Sequence, residues 1–527
     1  MAILSFVGFT LLVAVIAYYA TRKTNEGTSD GYFLGGRSLT AGVVAGSLLL
    51  TNLSTEQIVG LNGSAYSEGI LVMAWETLAA IAMVVTAVFL LPRYLKGGLT
   101  TVPQFLETRY DKGVKTIASG LFLLGYVVIF LPIVLYSGSL AISTMFDIPA
   151  LLGVSLETSI WICVWGIGII GSIYAIFGGL KAVAVSDTVN AVGLLIGGLL
   201  IPVFGLLMIG DGSLGAGIDT LMAAAPEKFN SIGDSKASVP FSTIFTGMML
   251  VQLFYWGTNQ AIIQRALAAK NLQEGQKGLL LAAFIKILGP LIVVLPGVIA
   301  FYMFGPDLET PDQAYPLLVN KVLPKPLLGF FAAVLFGAIL SSFNSALNSS
   351  VTLFSIDFYK EYINKEANEL TVIRNGKYFG IVLAIASMLI APMIQKAPQG
   401  LFGYLQEVNG CYSIPILTII VVGYLTKRVP AIAAKIGILS GVLLYIVYLL
   451  LKYFVFGPDE MLHYLHVMAI LFVLNIVIML TIGKFYPRET DFELEYTKKV
   501  SITPYKHIKV VGIAIVAIVV GIYYYFA

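Results

Sequence analysis

The sequence predicts an all-α, polytopic membrane protein of about 14 transmembrane helices, built around a 5+5 inverted repeat. Three observations carry this reading. Of the 527 residues, 58% are hydrophobic and only 12% charged, with a mean hydropathy of +0.89, whereas a soluble domain carries about 25% charge. Fourteen apolar stretches approach or exceed the ~20 residues needed to cross hydrocarbon. Two of these stretches, the second and the seventh, are broken by polar residues at matching places.

In order, the stretches cover roughly 2–20, 38–62, 70–92, 116–145, 156–178, 186–209, 239–264, 278–303, 327–358, 375–394, 397–425, 430–451, 461–483 and 510–526. The first lacks a basic leader and a small-residue cleavage site and is followed by Arg22 and Lys23, so it is expected to be a retained helix rather than a signal peptide. Twenty-five of the 32 Lys and Arg residues fall in the loops after odd-numbered stretches. Six, Lys228, Lys236, Lys321, Lys325, Lys396 and Lys452, fall on the other side, and Lys286 alone is placed inside the membrane. Under the positive-inside rule the basic side is cytoplasmic, and both termini are expected outside the cytoplasm. The domain reading is an extra N-terminal helix and first loop (1–37), a first five-helix repeat (38–209), a loop (210–238), a second repeat (239–425) and three C-terminal helices (426–527).

Composition excludes several functions. Cys163 and Cys411 both lie in apolar runs, which argues against a disulfide framework or zinc site. His463, His466 and His507 sit near span ends and form no catalytic cluster with acids or serines. The formal charge of +3 is gathered in loops on one side, so the expected partner is a lipid bilayer and not nucleic acid. Glu56 and Glu76 are paired carboxylates of the kind a glycosidase uses, yet both fall in membrane helices, which makes an enzyme the weakest reading.

The second stretch breaks at NLSTEQIVG (52–60), which puts Asn52, Ser54, Glu56 and Gln57 where hydrocarbon is expected. A carboxylate at that depth costs about 2.5–3.5 kcal/mol on an insertion scale. The seventh carries QLFYWGTNQ (252–260) around Gly257. Each break opens a five-helix block. Polar residues in a large bundle often only join helices, which suffices for a lone Ser or Asn but not for two breaks in corresponding positions. Such a pair points to a secondary transporter in which unwound carbonyls coordinate a cation and half-helix ends face the solute. The other intramembrane polar groups are Glu76, Asp187, Lys286, Gln406 and Glu407, with a hydroxyl and amide run, AILSSFNSALNSS (338–350), in the ninth stretch. There Ser341, Ser342 and Ser345 present oxygens one turn apart, as a small hard cation prefers. Ser349 and Ser350 are expected to bond back to the preceding turn.

At these residues the chain resembles the sodium/solute symporter family, in its sodium/glucose cotransporter branch. The resemblance runs over most of the chain through GYFLGGRSL (31–39), TNLSTEQIVGLNGSAY (51–66), FYWGTNQAIIQRALAAK (254–270), EGQKG (274–278) and FSIDFYKEYI (354–363). It implies a LeuT-type fold and Na⁺ as coupling ion. The implied sodium site uses backbone oxygens of Leu50, Leu53 and Ala338 with the hydroxyls of Ser341 and Ser342, and places Asp187 on the exit route or at a second sodium. The implied sugar site uses Gln57, Glu76, Gln252, Lys286 and Gln406, with Tyr255 as stacking platform and inner gate, Trp256 behind it, and Leu61, Trp75 and Phe402 as outer lid. The galactose-transporting pattern has Asn at Gln252, Ser at Ala79 and Tyr at Trp75 and Phe254, so the resemblance implies a sugar without specifying galactose. The absence of any basic residue between Lys115 and Lys181 leaves spans 4 and 5 without an arginine for a carboxylate, which favours a neutral hexose or polyol. The expected function is a sodium-coupled importer of a neutral sugar in a bacterial inner membrane. The alternatives are a symporter for a sialic acid or other small organic solute, and a sodium-independent uniporter.

Overall fold

The computed structural model describes residues 2–21, 28–308, 310–396, 401–457 and 460–527. Arg22, Lys23 and the opening residues of the eleventh stretch, 397–400, lie outside them. Helices α1 (Ala2–Thr21), α2 (Ala41–Asn52), α3 (Thr55–Glu68) and α4 (Ala74–Val85) come first. They are followed by α5 (Lys112–Met145), α6 (Leu156–Ile209), α7 (Met249–Gly257) and α8 (Gln260–Leu267). Next are α9 (Leu272–Ile287), α10 (Pro290–Phe304), α11 (Lys325–Leu353) and α12 (Glu369–Ile390). The last four are α13 (Leu401–Leu425), α14 (Ala431–Leu451), α15 (Tyr464–Phe485) and α16 (Ile508–Tyr525). Among the described residues, ten helices are long and apolar enough to cross a membrane, or eleven if the pair α9–α10, bent by 46°, is one span. With the family established below, this is a multi-pass membrane protein.

α6 is helical from end to end but provides two of the ten spans, Leu156–Ile176 and Leu180–Ile209. The Tyr174 hydroxyl donates to the Ala182 carbonyl. In a straight helix those residues would be about 12 Å apart along the axis, beyond a tyrosine's reach, so the helix axis departs from straight between Tyr174 and Ala182.

Both predicted breaks are present, and their sequences explain them. At the first, Leu53 leaves helical geometry (φ −74°, ψ 59°) and Ser54 is extended as N-cap of α3. The Ser54 N–H, which a continued helix would give to Leu50, goes to Asn52 O at 2.8 Å. At the second, Asn259 caps α8, its Oδ1 accepting from Ala261 N–H at 3.0 Å, as an N-cap amide does. A third bend at Gly289–Pro290 follows from proline, which cannot continue the ladder and suits the first turn of α10. In α5 a π turn at Tyr126–Phe130 precedes Pro132, and another at Thr86–Leu90 precedes Pro92. Proline lacks the N–H that a regular helix needs there.

α2 packs on α6 and α9, α9 also on α4, and α11 on α6 and α1. The breaks of α2–α3 and α7–α8 thus sit inside the bundle and not at its lipid face. At the basic end, Arg37 ties three loops together, donating to Gly98 O, Leu99 O and Leu267 O at 2.9–3.2 Å. Residues 486–507 run as an irregular strap over the same end. Thr497 N–H meets Lys96 O, Leu272 N–H meets Ser501 O, and Tyr505 N–H meets Gln276 Oε1. At the opposite end, Lys228 donates to Tyr66 O and Ser67 O, the orphan carbonyls closing α3, and burial pulls its ammonium below the usual lysine range. Gly69 (φ +84°) passes so close to Lys228 that a Cβ would lie 2.3 Å from its carbonyl. Only glycine fits there.

Candidate functional site

The two breaks face a shared interior cavity. From the first, Thr51, Asn52, Glu56 and Gln57 reach its wall; from the second, Gln252, Tyr255, Asn259 and Ile262 do. α13 adds Phe402, Gln406, Asn409 and Tyr412, and the π turn of α5 adds Tyr126 and Phe130. The wall therefore combines amides with aromatic faces, as a polyol site requires. The cavity measures about 40 Å³. At roughly 10–15 Å³ per water, it has room for about three waters, so this is a closed state in which a hexose requires side chains to move.

Closure is visible where α4 and α13 meet. Trp75 and Phe402, near the starts of α4 and α13, meet edge to face with ring centroids 5.2 Å apart. Gly60 makes this possible, since a Cβ there would lie 2.6 Å from the Phe402 Cβ. Toward the basic end, Tyr255 packs on Trp256 at 5.3 Å. Leu61 is fully buried in the core that includes Trp75 and Phe402 and does not reach the cavity wall. Trp256 also stands behind the wall, with the Lys286 ammonium 5.8 Å from its ring centroid.

Glu76 and Lys286 meet in an ion pair of 2.5 Å, with side chains 0% and 1% exposed. Each has a further partner: Gln57 Nε2 donates to Glu76 Oε1, and Lys286 Nζ donates to Asn52 Oδ1. The pair lies behind the wall, while Gln57 and Asn52 stand on it. Two charges predicted as direct cargo contacts thus act, in this closed state, as a neutral clamp orienting two amides. Gly289 makes the approach possible, because a Cβ there would lie 2.2 Å from Glu76 Oε2. Gln252 Nε2 donates to Trp75 O at 2.9 Å, tying the second break to the lid. Gln406 is half-buried on the wall.

The residues expected to hold sodium gather around the first break. Ser342 Oγ donates to Thr51 O at 3.0 Å, joining α11 to the frayed end of α2. Leu50, Leu53, Ala338 and Ser341 are all buried, and the Ser341 hydroxyl faces the Asp187 carboxylate. Asp187, 1% exposed, accepts from Ser47 Oγ at 2.7 Å.

Two expectations need correction. Lys286 is not the only basic side chain inside the bundle, for Arg265 is fully buried. It donates to Ser345 Oγ, to Ala261 O and, at 3.3 Å, to Ser47 Oγ, the hydroxyl that binds Asp187. The helix runs on to Leu267, past the 264 expected from hydropathy, because Asn259 restarts it after the break. Ser349 does not bond back to its own turn; its Oγ donates to Gln264 Oε1 at 2.8 Å, whereas Ser350 does bond back, to Ala346 O. Sequence reasoning also gave no role to Asn259, Asn409 or Tyr126. Asn259 carried a signal, an Asn directly before a helical pattern. Tyr126, whose hydroxyl donates to Asn259 Oδ1 at 2.7 Å, carried none, since a tyrosine in an apolar run is ordinary core.

The sequence model of the Sodium:solute symporter family matches residues 32–441. The chain is 49% identical over 521 residues to an uncharacterized symporter, YidK, of Escherichia coli (strain K12), covering 99% of this chain and 90% of the relative. It is 34% identical to the sodium/glucose cotransporter of Vibrio parahaemolyticus, covering 82% and 83%. In fold it matches a substrate-bound, outward-open Na⁺-coupled sialic acid symporter, with a TM-score of 0.77 at 20% identity over 92% of this chain and 98% of that one. The carbonyl-and-hydroxyl corner at one break and the amide-and-aromatic cavity beside it belong to a transporter and not an enzyme: the chain is a member of the sodium:solute symporter family, in its sodium/glucose branch, with sodium as coupling ion.

Proposed function

We propose that this protein imports a neutral sugar, a hexose or related polyol, together with sodium by alternating access. The observation that carries the reading is that one break serves both sites. At this break the Thr51 carbonyl accepts from Ser342 Oγ, and Asn52 and Gln57 line the cavity. An ion that orders the frayed end of α2 would therefore set the position of the cargo's amides. In this reading Leu50 O, Leu53 O, Ala338 O, Ser341 Oγ and Ser342 Oγ hold the sodium, and Asp187 lies on its exit route. Arg265 occupies Ser345, an oxygen a second ion would need, which favours one sodium. Gln57, Gln252 and Gln406 bond the sugar hydroxyls, Tyr255 stacks on the ring, and Glu76 and Lys286 join as the cavity opens.

The architecture proposed with it is LeuT-type, with fourteen helices, counting α1 and the pairs α2–α3, α7–α8 and α9–α10 as spans. Five-helix repeats run from α2 to α6 and from α7 to α13. The basic end faces the cytoplasm of a bacterial inner membrane, with both termini on the other side. Moving one Na⁺ inward through 100 mV releases about 2.3 kcal/mol, and a tenfold gradient adds about 1.4 kcal/mol. One ion thus supports roughly several-hundredfold accumulation.

The test is uptake of labelled neutral sugars, polyols and sialic acid into proteoliposomes, with an inward sodium gradient or with choline in its place. Sodium-dependent uptake of a neutral sugar, lost in Ser342→Ala and Gln57→Ala, is the expected result. Uptake indifferent to sodium overturns the symport reading. Uptake confined to sialic acid overturns the neutral cargo.

A further inference from the structure

Glu56 stands apart from every other buried charge near the cavity. It is 3% exposed, lies on the cavity wall, and its Oε2 has no hydrogen-bond donor. The nearby buried cations are engaged elsewhere: Lys286 by Glu76 and Asn52, Arg265 by Ser345, Ser47 and Ala261 O. Its carboxylate is supported by the Ser54 hydroxyl, by its own backbone N–H and by its place in the first turn of α3, where the helix N-terminus complements an anion. Among the described residues, no lysine or arginine lines the cavity. The wall therefore includes, among the described residues, one carboxylate with a buried, unpaired oxygen and no cation to meet an anion.

We propose that Glu56 reads the charge of the cargo. Its free oxygen accepts a hydrogen bond from a cargo hydroxyl or, more strongly, from a protonated amine, and it repels a carboxylate brought to the same place. Buried acceptors left unpaired are costly, so a donor at this point is selected and not merely tolerated. Like charges brought together at a binding surface cost several kcal/mol. The cargo class is thereby extended from neutral sugars to protonated amino sugars, and sugar acids are excluded. This rests on the sugar-symport reading, and the experiment separates the two.

Proteoliposomes with an inward sodium gradient are offered a hexose, its 2-amino derivative at a pH that keeps the amine protonated, and its uronic acid. In the wild type the hexose and the amino sugar enter and the acid does not. In Glu56→Gln the amine-to-acid uptake ratio falls by about ten- to hundredfold, while Glu56→Asp keeps the preference. A ratio unchanged in Glu56→Gln overturns the charge rule and leaves the symport reading standing. No sodium-driven uptake of any of the three overturns the symport reading. The charge rule is then decided by thermal stabilisation of the purified protein: a greater effect of the amine than the acid, lost in Glu56→Gln, sustains it, and equal effects overturn it. The same stabilisation assay, run without ligand, verifies that each variant is folded.

Discussion

Lys286 shows how a membrane protein keeps a buried charge and what depends on it. Its ammonium holds Glu76 and Asn52, and Glu76 in turn holds Gln57. Removing one partner of a buried pair leaves the other uncompensated, at about 3–5 kcal/mol. Lys286→Met is expected to lower thermal stability in detergent by about that amount. Lys286→Met with Glu76→Gln should recover much of the stability but not transport, since Gln57 and Asn52 lose their fixed poses; melting and uptake measured together check this. At the proposed sodium site, Ser342→Ala removes a hydroxyl that reaches across to α2. Its sodium half-saturation is expected to rise by about tenfold, with the cargo's own saturation at high sodium changed much less. A sodium titration at fixed cargo measures it.

At the scale of elements, bends and caps position the groups. Gly289 begins the kink between α9 and α10 and leaves space for the Glu76 carboxylate. Gly289→Ala should push Glu76 away from Lys286, at about 1–3 kcal/mol of overpacking, and reduce uptake; a loss of uptake larger than in Gly36→Ala, where a Cβ meets nothing, distinguishes the effect from a general one only after the strain of Gly36's own φ of +66° is measured by melting. α15 starts at His463, whose Nδ1 accepts from Leu465 N–H at 3.3 Å. Burial, with Lys452 and His466 nearby, pushes this imidazole down to about 4 from its ordinary value near 6.5. The folded state therefore binds fewer protons than the unfolded one between those values, and stability falls as pH drops through that window. Melting temperatures across it are expected to decline less steeply in His463→Asn, which caps without titrating.

For the whole molecule, function requires that both ends of the cavity open in turn, and the basic end is held by many contacts. Asp357, fully buried at the end of α11, accepts from Ser119 Oγ at 2.8 Å and from Thr101 Oγ1. Arg37 and the 486–507 strap add ties across both halves. Ligand-driven closure can shift such an equilibrium only by its difference in affinity for the two states. Loosening the basic end should therefore change populations without touching either site. Asp357→Ala is expected to speed labelling of Ile262→Cys, on the cavity wall, by a thiol reagent supplied from the basic side, in a background lacking Cys163 and Cys411. Unchanged labelling would mean that Asp357 does not hold this end shut.

That the chain is a membrane bundle, where most helices run, and that α2–α3 and α7–α8 break are all legible in the residues alone. These are local matters. Apolar runs report burial in lipid or protein, and Ser54 and Asn259 carry their capping chemistry wherever the chain places them. The resemblance in blocks such as 51–66 and 254–270 extended that reading to a family, which the comparisons bear out. Which buried charges meet is set by how the helices pack. Glu76 finds Lys286 across 210 residues, Ser47 links Asp187 to Arg265, and Glu56 is left with an oxygen unserved. No periodicity marks such choices, because a charge's partner depends on which helix faces pack together. Hydropathy assigned Arg265 to a loop for the same reason: its burial comes from α8 packing against α2 and α11, and not from its own neighbours in sequence.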